Sequence, residues 1–375
     1  MNFALSDEQV MLREAARSAL SRVDTIAGAR AALTDPAALP GLWPTVVEAG
    51  WAGLLVDEDH GGAGLGGLEA LLVAEECGRV LAATSLLGLL PAVAILVAAG
   101  DEALEAIADG RLRPAVVPAR PPDGRVGAWT VDPVSGHARA PAPRAVVQGR
   151  SVALSGTVAH VPDAPGADLL VAIGVDGDGR PVAAALPTGS DGVKLEPVVR
   201  YDPTRSLAHV HLEGARGRHL DVCPTTLENA WYLGHAVIAA EALGGVQACL
   251  EMSVAYARER FTFGRPIGSY QSIKHELTEV LRLQENARGL QYYSGWALES
   301  QPDEFALAAS AARAAAGTAF DFATRSAINV HGGIGATWEH DAPLFFRRAQ
   351  LSRRLLGGSG DATDRVADLI LSSAA

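Results

Sequence analysis

The sequence of 375 residues predicts an α+β fold in which a β domain is inserted between two helical domains. The first observation is a change of composition. Long runs rich in Ala, Leu and Glu give way, after residue 112, to short β-branched runs among frequent Pro and Gly. The second observation is the return of long helical runs after residue 222. Because short β-branched runs bounded by turn residues are typical of strands, we expect domains at 1–112, 113–222 and 223–375.

The N-terminal domain is expected to begin with a capped amphipathic helix. Ser6 precedes Asp-Glu-Gln-Val, which places a capping side chain before the acids of a first helical turn. This start lacks the pattern of a signal peptide. The segment 86–100 is the most apolar of the chain, but Pro91 interrupts it and it is too short to span a bilayer. We interpret it as a buried core helix and expect no membrane partner.

The central and C-terminal domains differ in the length of their elements. Four strand-sized runs lie in the centre: SVALSG, DLLVAIGV, PVAAALP and AHVHLEG. Beyond them, helical runs occupy 225–260, 268–299 and 303–330, with apolar residues on a helical period. Helices of this length favour a bundle that mediates assembly.

Composition limits the classes of function. About half of the residues (49%) are hydrophobic, so a large core can be buried, and the net charge is -12 with a pI near 5.3. An acidic chain is a poor partner for nucleic acid, whose binding depends on neutralising phosphates. Cys77, Cys223 and Cys249 are widely spaced, which argues against a disulfide framework and against a metal site. We expect a reducing, cytoplasmic compartment.

Two C-terminal segments point to a family. The stretch "YARERFTFGRPIGSYQSIKHEL" at 256–277 contains a tyrosine, then Arg-x-x-Phe-Gly-x-Pro-Ile and a glutamine, and "HGGIGATWEHDAPLFFRRA" at 331–349 contains a Gly-Gly-x-Gly segment before an arginine-rich helix. Both resemble signatures of the acyl-CoA dehydrogenases, and "VDEDHGGAGLGGLEALLVAEECGR" at 56–79 is a weaker match. The resemblance covers nearly the whole chain. It implies an N-terminal helical domain, a central β-barrel-like domain and a C-terminal four-helix bundle.

The resemblance also implies FAD as the cofactor, which in this family stretches across a dimer interface. Arg260 would contact the diphosphate as a cation with directed donors. The paired glycines at 332 and 333 would let the backbone approach the cofactor, since neither has a Cβ. The full set of implied cofactor contacts is Arg260, Thr262, Phe263, Gln271, Asn329, His331, Gly332 and Gly333. The alternative is that Gly264 and Pro266 merely end one helix and start the next.

The catalytic base of the family has no counterpart at its usual place. The family chemistry needs a carboxylate that removes the α-proton of an acyl-CoA, while the flavin takes a hydride from the β-carbon. The usual glutamate position falls on Leu356, and the alternative position on the preceding helix falls near Gly234 and His235. Glu241 is then the first candidate for a displaced base. Glu228 and His235 are weaker candidates, because helix carboxylates are usually solvated or paired and a core histidine is more common than a catalytic one.

The segments that hold the flavin ring in the family also depart from its pattern. The acidic-glycine loop is missing from "VVPARPPDGRVGAWT". Thr157 stands where the family has a lysine, and "HVPDAPGADLL" replaces an Ile-Thr-Asn run. Gly156 and Asp168 remain as scaffold features. The chain therefore keeps what a neighbour contributes to FAD and loses what would hold the reactive ring and the base.

Three functions follow as alternatives. The combination resembles the base-lacking partner subunit of heterotetrameric (α2β2) acyl-CoA dehydrogenases, which act on thioesters of bulky side chains such as sterols and pass electrons to electron-transfer flavoprotein. A self-sufficient homo-oligomer with Glu241 as displaced base is the second. A structural or binding homologue without catalysis is the third.

The arginine-rich helix invites one more interpretation. Its four arginines resemble a phosphate patch for CoA, but the family uses this helix structurally and salt bridging is the expectation. The residues are Arg347, Arg348, Arg353 and Arg354.

Overall fold

The N-terminal domain is helical, as predicted. The structure, a computed structural model, describes residues 4–122, 127–134 and 139–373. Ser6 caps the first helix in a capping box with Gln9: its Oγ accepts from the Gln9 amide at 3.2 Å, and Gln9 Oε1 accepts from the Ser6 amide at 2.9 Å. The helices are α1 (Asp7–Leu20), α2 (Thr25–Ala31), α3 (Trp43–Glu48), α4 (Gly67–Arg79), α5 (Leu86–Ala98) and α6 (Leu104–Ala108). The helix α5 contains Pro91 and is buried along most of its length, which confirms the core helix.

The central domain closes into a barrel-like sheet. Its strands are β1 (Pro114–Val117), β2 (Trp129–Val131), β3 (Arg139–Pro141), β4 (Arg144–Gln148), β5 (Ser151–Pro162), β6 (Leu169–Val175), β7 (Pro181–Pro187), β8 (Val193–Pro197) and β9 (Leu207–Leu220). Pairings run β6–β4–β5–β9–β7 and return from β7 to β6, which completes the circuit. Strand β1 lies parallel to β6, β8 is added to β9, and β2 and β3 form a separate hairpin. Alternating Val, Leu and Ala side chains fill the interior.

The C-terminal domain is built on three long helices. The elements are α7 (Pro224–Glu259), β10 (Phe261–Thr262), β11 (Arg265–Pro266), α8 (Gln271–Ser300), α9 (Pro302–His331), α10 (Ala342–Ser352) and α11 (Gly358–Ser373). Helices α7, α8 and α9 pack on one another, and α10 and α11 pack on α9. Helix α7 has a window long and apolar enough to cross a bilayer, but 83% of that window is buried inside the fold. This is the pattern of a core helix.

Buried ion pairs join the barrel to the helical bundle. Arg205, two residues before β9, pairs with Glu241 of α7. Arg348 of α10 pairs with Asp202 at 2.9 Å. All four side chains are almost fully buried, and charges so far from water persist only when they are paired. The two domains therefore form one body with a polar seam.

Candidate functional site

The helix break after residue 259 is a folded hairpin. Strands β10 and β11 pair through a two-residue turn of Phe263 and Gly264, which have φ of +50° and +79°. Two positive φ values in a two-residue loop match the twist of the flanking strands. The hydroxyl of Tyr270 donates to the Thr262 carbonyl at 3.1 Å and fixes the hairpin to the start of α8. As a result the Phe263 ring is held at the tip, 98% exposed.

The glycine motif lies next to the end of α7. The ring of Tyr256 stands 4.5 Å from that of His331, which stands 4.1 Å from that of His340. Nδ1 of His331 is 2.7 Å from the Ala327 carbonyl, and the side chain is only 5% exposed. The sequence suggested that His331 flanks a cofactor; in the structure its side chain is internal and joins the two helix ends. The two motifs are thus brought together although 75 residues separate Tyr256 from His331.

The paired glycines are open to the outside of the chain. Gly332 has φ +64° and ψ −137°, a backbone conformation that residues other than glycine rarely adopt. A Cβ built on Gly332 or Gly333 meets no atom within 4 Å. Asn329, on the last turn of α9, is also exposed. The space beside these residues is available to a second molecule.

We call the exposed set of Arg260, Gln271, Gly332 and Gly333 the clasp. Within the described part of the chain, Arg260 forms no salt bridge, and Gln271 is the first residue of the 30-residue helix α8. A free guanidinium, an amide at a helix N-terminus and exposed glycine backbone are suitable donors for a diphosphate. The clasp therefore fits the nucleotide end of FAD.

Leu356, at the usual base position implied by the resemblance, lies against Gly234, one of the two residues nearest the alternative position, and both residues are apolar. A Cβ on Gly234 of α7 would lie 2.6 Å from Cδ1 of Leu356. Leu356 itself has φ +49°, and Gly357 follows with φ +79°. The leucine side chain thus occupies the volume that a side chain at 234 would need. Neither position supplies a proton acceptor.

His235 holds the backbone of the same loop. Its Nε2 lies 2.9 Å from the Leu356 carbonyl, and Nδ1 has no partner among the described residues. Burial lowers the pKa of His235 to about 3, with a further contribution from the Arg313 charge. Arg313 also donates to the Leu355 carbonyl at 3.3 Å. Both side chains act as internal supports of the loop, and His235 is neutral at pH 7.

Glu241 and Glu228 are engaged in ion pairs. Oε1 of Glu241 accepts from Nη1 of Arg205 at 3.2 Å, its other oxygen also contacts Arg205, and Nη1 of Arg348 lies 3.9 Å away. The Glu241 side chain is 3% exposed. Glu228 pairs with Arg365 at 3.3 Å. These contacts make Glu241 part of the polar seam that joins the barrel to the bundle.

A cavity of about 200 Å³ opens beside Leu356, between the barrel and the bundle. It is lined by Pro118, Thr130, Val131, Ala159, His160, Val198, Val199, Arg200, Tyr201, Leu207, Trp231, Leu351, Arg354, Leu355 and Leu356. None of these residues is a carboxylate, and Glu241 does not line the cavity. Thr157, at the family's lysine position, bonds instead to Nδ1 of His211 at 3.1 Å. The cavity therefore has no carboxylate base, and the hydroxyl at 157 is already engaged by His211.

The arginine-rich helix is mainly structural, as expected. Arg348 pairs with Asp202, and Arg353 lies 3.3 Å from Asp321, which confirms salt bridging for these two. Arg347 and Arg354 differ, because both reach Tyr201. Arg347 donates to its carbonyl at 2.8 Å, and Arg354 donates to its hydroxyl at 3.0 Å.

Sequence reasoning missed Arg200, Tyr201, His160 and Trp231 as residues of this cavity. They come from the β8–β9 connection, strand β5 and helix α7, so only the tertiary fold brings them together. One local signal existed: "RYDPTR" at 200–205 has two arginines around turn residues and no neighbouring acid beyond Asp202.

Comparison with known proteins agrees with this architecture. The models of the acyl-CoA dehydrogenase N-terminal and C-terminal domains match residues 6–106 and 227–370. The acyl-CoA dehydrogenase IpdE2 of Mycolicibacterium smegmatis is 30% identical over 359 residues, which cover 94% of this chain and 96% of that protein.

Two solved structures are also similar. One, a variant of the Tcur3481-Tcur3483 steroid ACAD, has a TM-score of 0.86 and 26% identity, and the match covers 98% of this chain and 99% of that chain. The ChsE4-ChsE5 complex from Mycobacterium tuberculosis has a TM-score of 0.83 and 22% identity over 99% of each chain, and therefore shows the fold alone. Together with the clasp and the barrel between helical domains, these matches establish that the chain belongs to the acyl-CoA dehydrogenase family.

Proposed function

We propose that this chain is the base-lacking subunit of a heteromeric, FAD-dependent acyl-CoA dehydrogenase. Its family consists of flavoprotein oxidoreductases that act on acyl-CoA thioesters. The observation that carries the proposal is the contact of Leu356 with Gly234, because neither residue is a carboxylate that could act as the base. The intact, exposed clasp supports the same conclusion, because a chain that had lost every cofactor role would have no use for it.

The role of this chain is to bind the cofactor tail. When bound, FAD supplies the hydride acceptor for α,β-dehydrogenation. Arg260 neutralises the diphosphate, Gln271 donates from the first turn of α8, and the glycines at 332 and 333 let the backbone come close. Phe263, at the hairpin tip, packs on the nucleotide. The base and the pocket for the ring come from the second chain.

The partner is then a second acyl-CoA dehydrogenase-type chain in an α2β2 assembly. The related Tcur3481-Tcur3483 protein is a steroid ACAD, which supports a bulky polycyclic acyl group as the substrate. Fold alone does not fix a substrate, so the acyl group rests on that relationship. Electron-transfer flavoprotein is the proposed electron acceptor, and the cytoplasm the proposed compartment.

Purification with and without the partner tests this proposal. The chain is produced alone and together with the acyl-CoA dehydrogenase-type chain encoded beside it, and mass, flavin absorbance and turnover of acyl-CoA are measured. We expect a flavin-poor, inactive protein alone and a yellow, active heteromer from the pair. Full flavin occupancy with turnover by the lone chain would show a homomeric enzyme instead. Absence of flavin from every pairing would indicate that the chain is a structural or binding homologue without catalysis.

A further inference from the structure

The cavity beside Leu356 has an uneven distribution of charge. Its floor is apolar and includes Trp231, Leu207 and Leu356, while Arg200 and Arg354 stand in its wall. In the part of the chain that the structure describes, neither arginine has a carboxylate within 4 Å, although the protein as a whole has a net charge of -12. Two cations that form no salt bridge, at an apolar cavity, are the features of a site for an organic anion.

Arg200 is the more constrained of the two. Its Nη1 donates to the Val198 carbonyl at 3.1 Å and its Nη2 to the Pro203 carbonyl at 3.5 Å. The Nε donor is buried and has no acceptor among the described residues. A buried donor without an acceptor destabilises the fold, and an anionic acceptor would remove that penalty. Burial lowers the pKa of Arg200, and the charges of Asp202 and Asp163 oppose this shift only in part.

Tyr201 and Arg354 add a second, oriented pair of donors. Nη1 of Arg354 donates to the Tyr201 hydroxyl at 3.0 Å, and the Tyr201 carbonyl is held by Arg347. The phenol proton is therefore free to point toward a ligand. Val199, between Arg200 and the barrel strand β8, is 98% exposed and marks the open side of the cavity. A ligand can enter there without displacing a core residue.

The size of the cavity limits the ligand. An apolar cavity of about 150 Å³ accommodates benzene, so a cavity of about 200 Å³ suits one aromatic ring or a short alkyl chain with a small headgroup. We propose that this cavity binds a small carboxylate with an aryl or short alkyl body, its oxygens on Arg200, Arg354 and Tyr201 and its apolar part against Trp231.

This site is separate from the clasp and from the proposed role in FAD binding. The clasp lies at the outer end of α7, where Tyr256 meets His331, whereas Trp231 is near the opposite end of that helix, 25 residues and about 37 Å of helix earlier. Either proposal can hold while the other fails. Flavin content of the heteromer reports on the clasp, and carboxylate binding by the chain reports on the cavity.

Phenylacetate and its neutral amide, phenylacetamide, are the matched probes. Binding to the full chain is followed by calorimetry and by tryptophan fluorescence, because Trp231 lines the cavity and its ring centre lies 6.2 Å from that of Trp129. We expect phenylacetate to bind at least tenfold more tightly than phenylacetamide. Arg200→Gln and Arg354→Gln should each weaken phenylacetate about tenfold or more and leave the amide unchanged. Arg353→Gln, which changes an arginine outside the cavity, is the control.

Three outcomes would overturn the proposal. They are equal affinity for acid and amide, undetectable binding of phenylacetate by folded protein, and displacement of phenylacetate by FAD, which would make the cavity the ring pocket of a flavin of its own. If an arginine variant fails to fold by circular dichroism, Ala159→Leu serves instead. This change fills the cavity without altering charge and should abolish binding of both probes; unaltered binding would place the ligand elsewhere.

Discussion

Gly234 and Leu356 share one volume of space: the Cβ that any other residue would add at 234 lies 2.6 Å from Cδ1 of the leucine. The resemblance to the family implies a catalytic carboxylate either at position 356 or near Gly234 and His235. The contact links the two absences, since a glutamate introduced at 234 would collide with the side chain of Leu356. The contact also predicts coupled effects of substitution.

Gly234→Ala is expected to destabilise the protein by about 1–3 kcal/mol, because the new methyl group overpacks a buried contact with Leu356. In Gly234→Ala/Leu356→Ala the methyl group fills vacated space, so the loss should be smaller than the sum of the single losses by about 1 kcal/mol. Urea unfolding gives the free energy of unfolding of Gly234→Ala, Leu356→Ala and the double variant. Gly289→Ala is the control: it lies on the exposed side of α8 with no atom within 4 Å, and should stabilise by up to about 1 kcal/mol. Additive losses would contradict the contact.

Glu241→Gln separates a structural role from a catalytic one. Removing one partner of a buried ion pair leaves Arg205 uncompensated, and we expect a loss of about 3–5 kcal/mol in the free energy of unfolding. Turnover per folded heteromer should stay within about twofold of the parent. Glu251→Gln, which breaks the exposed pair with Arg79, should cost less than about 1 kcal/mol. Loss of turnover with unchanged stability would make Glu241 the displaced base.

His235 should make the protein sensitive to acid. Its folded pKa of about 3 lies below the unfolded value near 6.5, so its neutral form contributes stability that is complete above pH 6.5 and is lost as the pH falls toward 3. The slope is up to about 1.4 kcal/mol per pH unit. Between pH 7 and pH 5, His235→Gln should therefore lose about 2 kcal/mol less than the parent, by urea unfolding at both values. Identical losses would mean that the imidazole titrates normally.

Arg260→Gln tests the clasp. A charge-assisted bond to a diphosphate contributes about 1.5–3 kcal/mol, so flavin should dissociate roughly 10- to 100-fold more readily from the heteromer. Because the side chain is exposed, the melting temperature of the chain alone should be unchanged. Arg258→Gln removes an equal charge from the same helix end and should retain flavin. Equal flavin loss in both variants would mean that positive charge at this helix end, and not a specific contact of Arg260, retains the flavin.

Much of the fold was predictable because its signals are local. The expected runs at 225–260, 268–299 and 303–330 correspond to α7, α8 and α9 within two residues at most ends, since amphipathic period and flanking Pro define them. The break at 260 was recognised, but its hairpin was not, because two-residue strands have no periodicity to detect.

The surroundings of the site were not predictable from the sequence. Glu241 was a reasonable candidate base until Arg205 was found beside it, 36 residues away in sequence. The cavity likewise combines Arg200 with Arg354, which are far apart in the chain. Pairings of this kind depend on how the barrel docks on the bundle, and a single sequence contains no local pattern for them.

The seam of buried ions has a consequence for protein engineering. Excising residues 113–222 as an independent module would deprive Glu241 and Arg348 of their partners in the helical domains and leave Arg205 and Asp202 unpaired in the fragment. The boundaries between the domains are therefore poor places at which to divide the chain. Heat or denaturant should melt the barrel and the bundle in a single cooperative step.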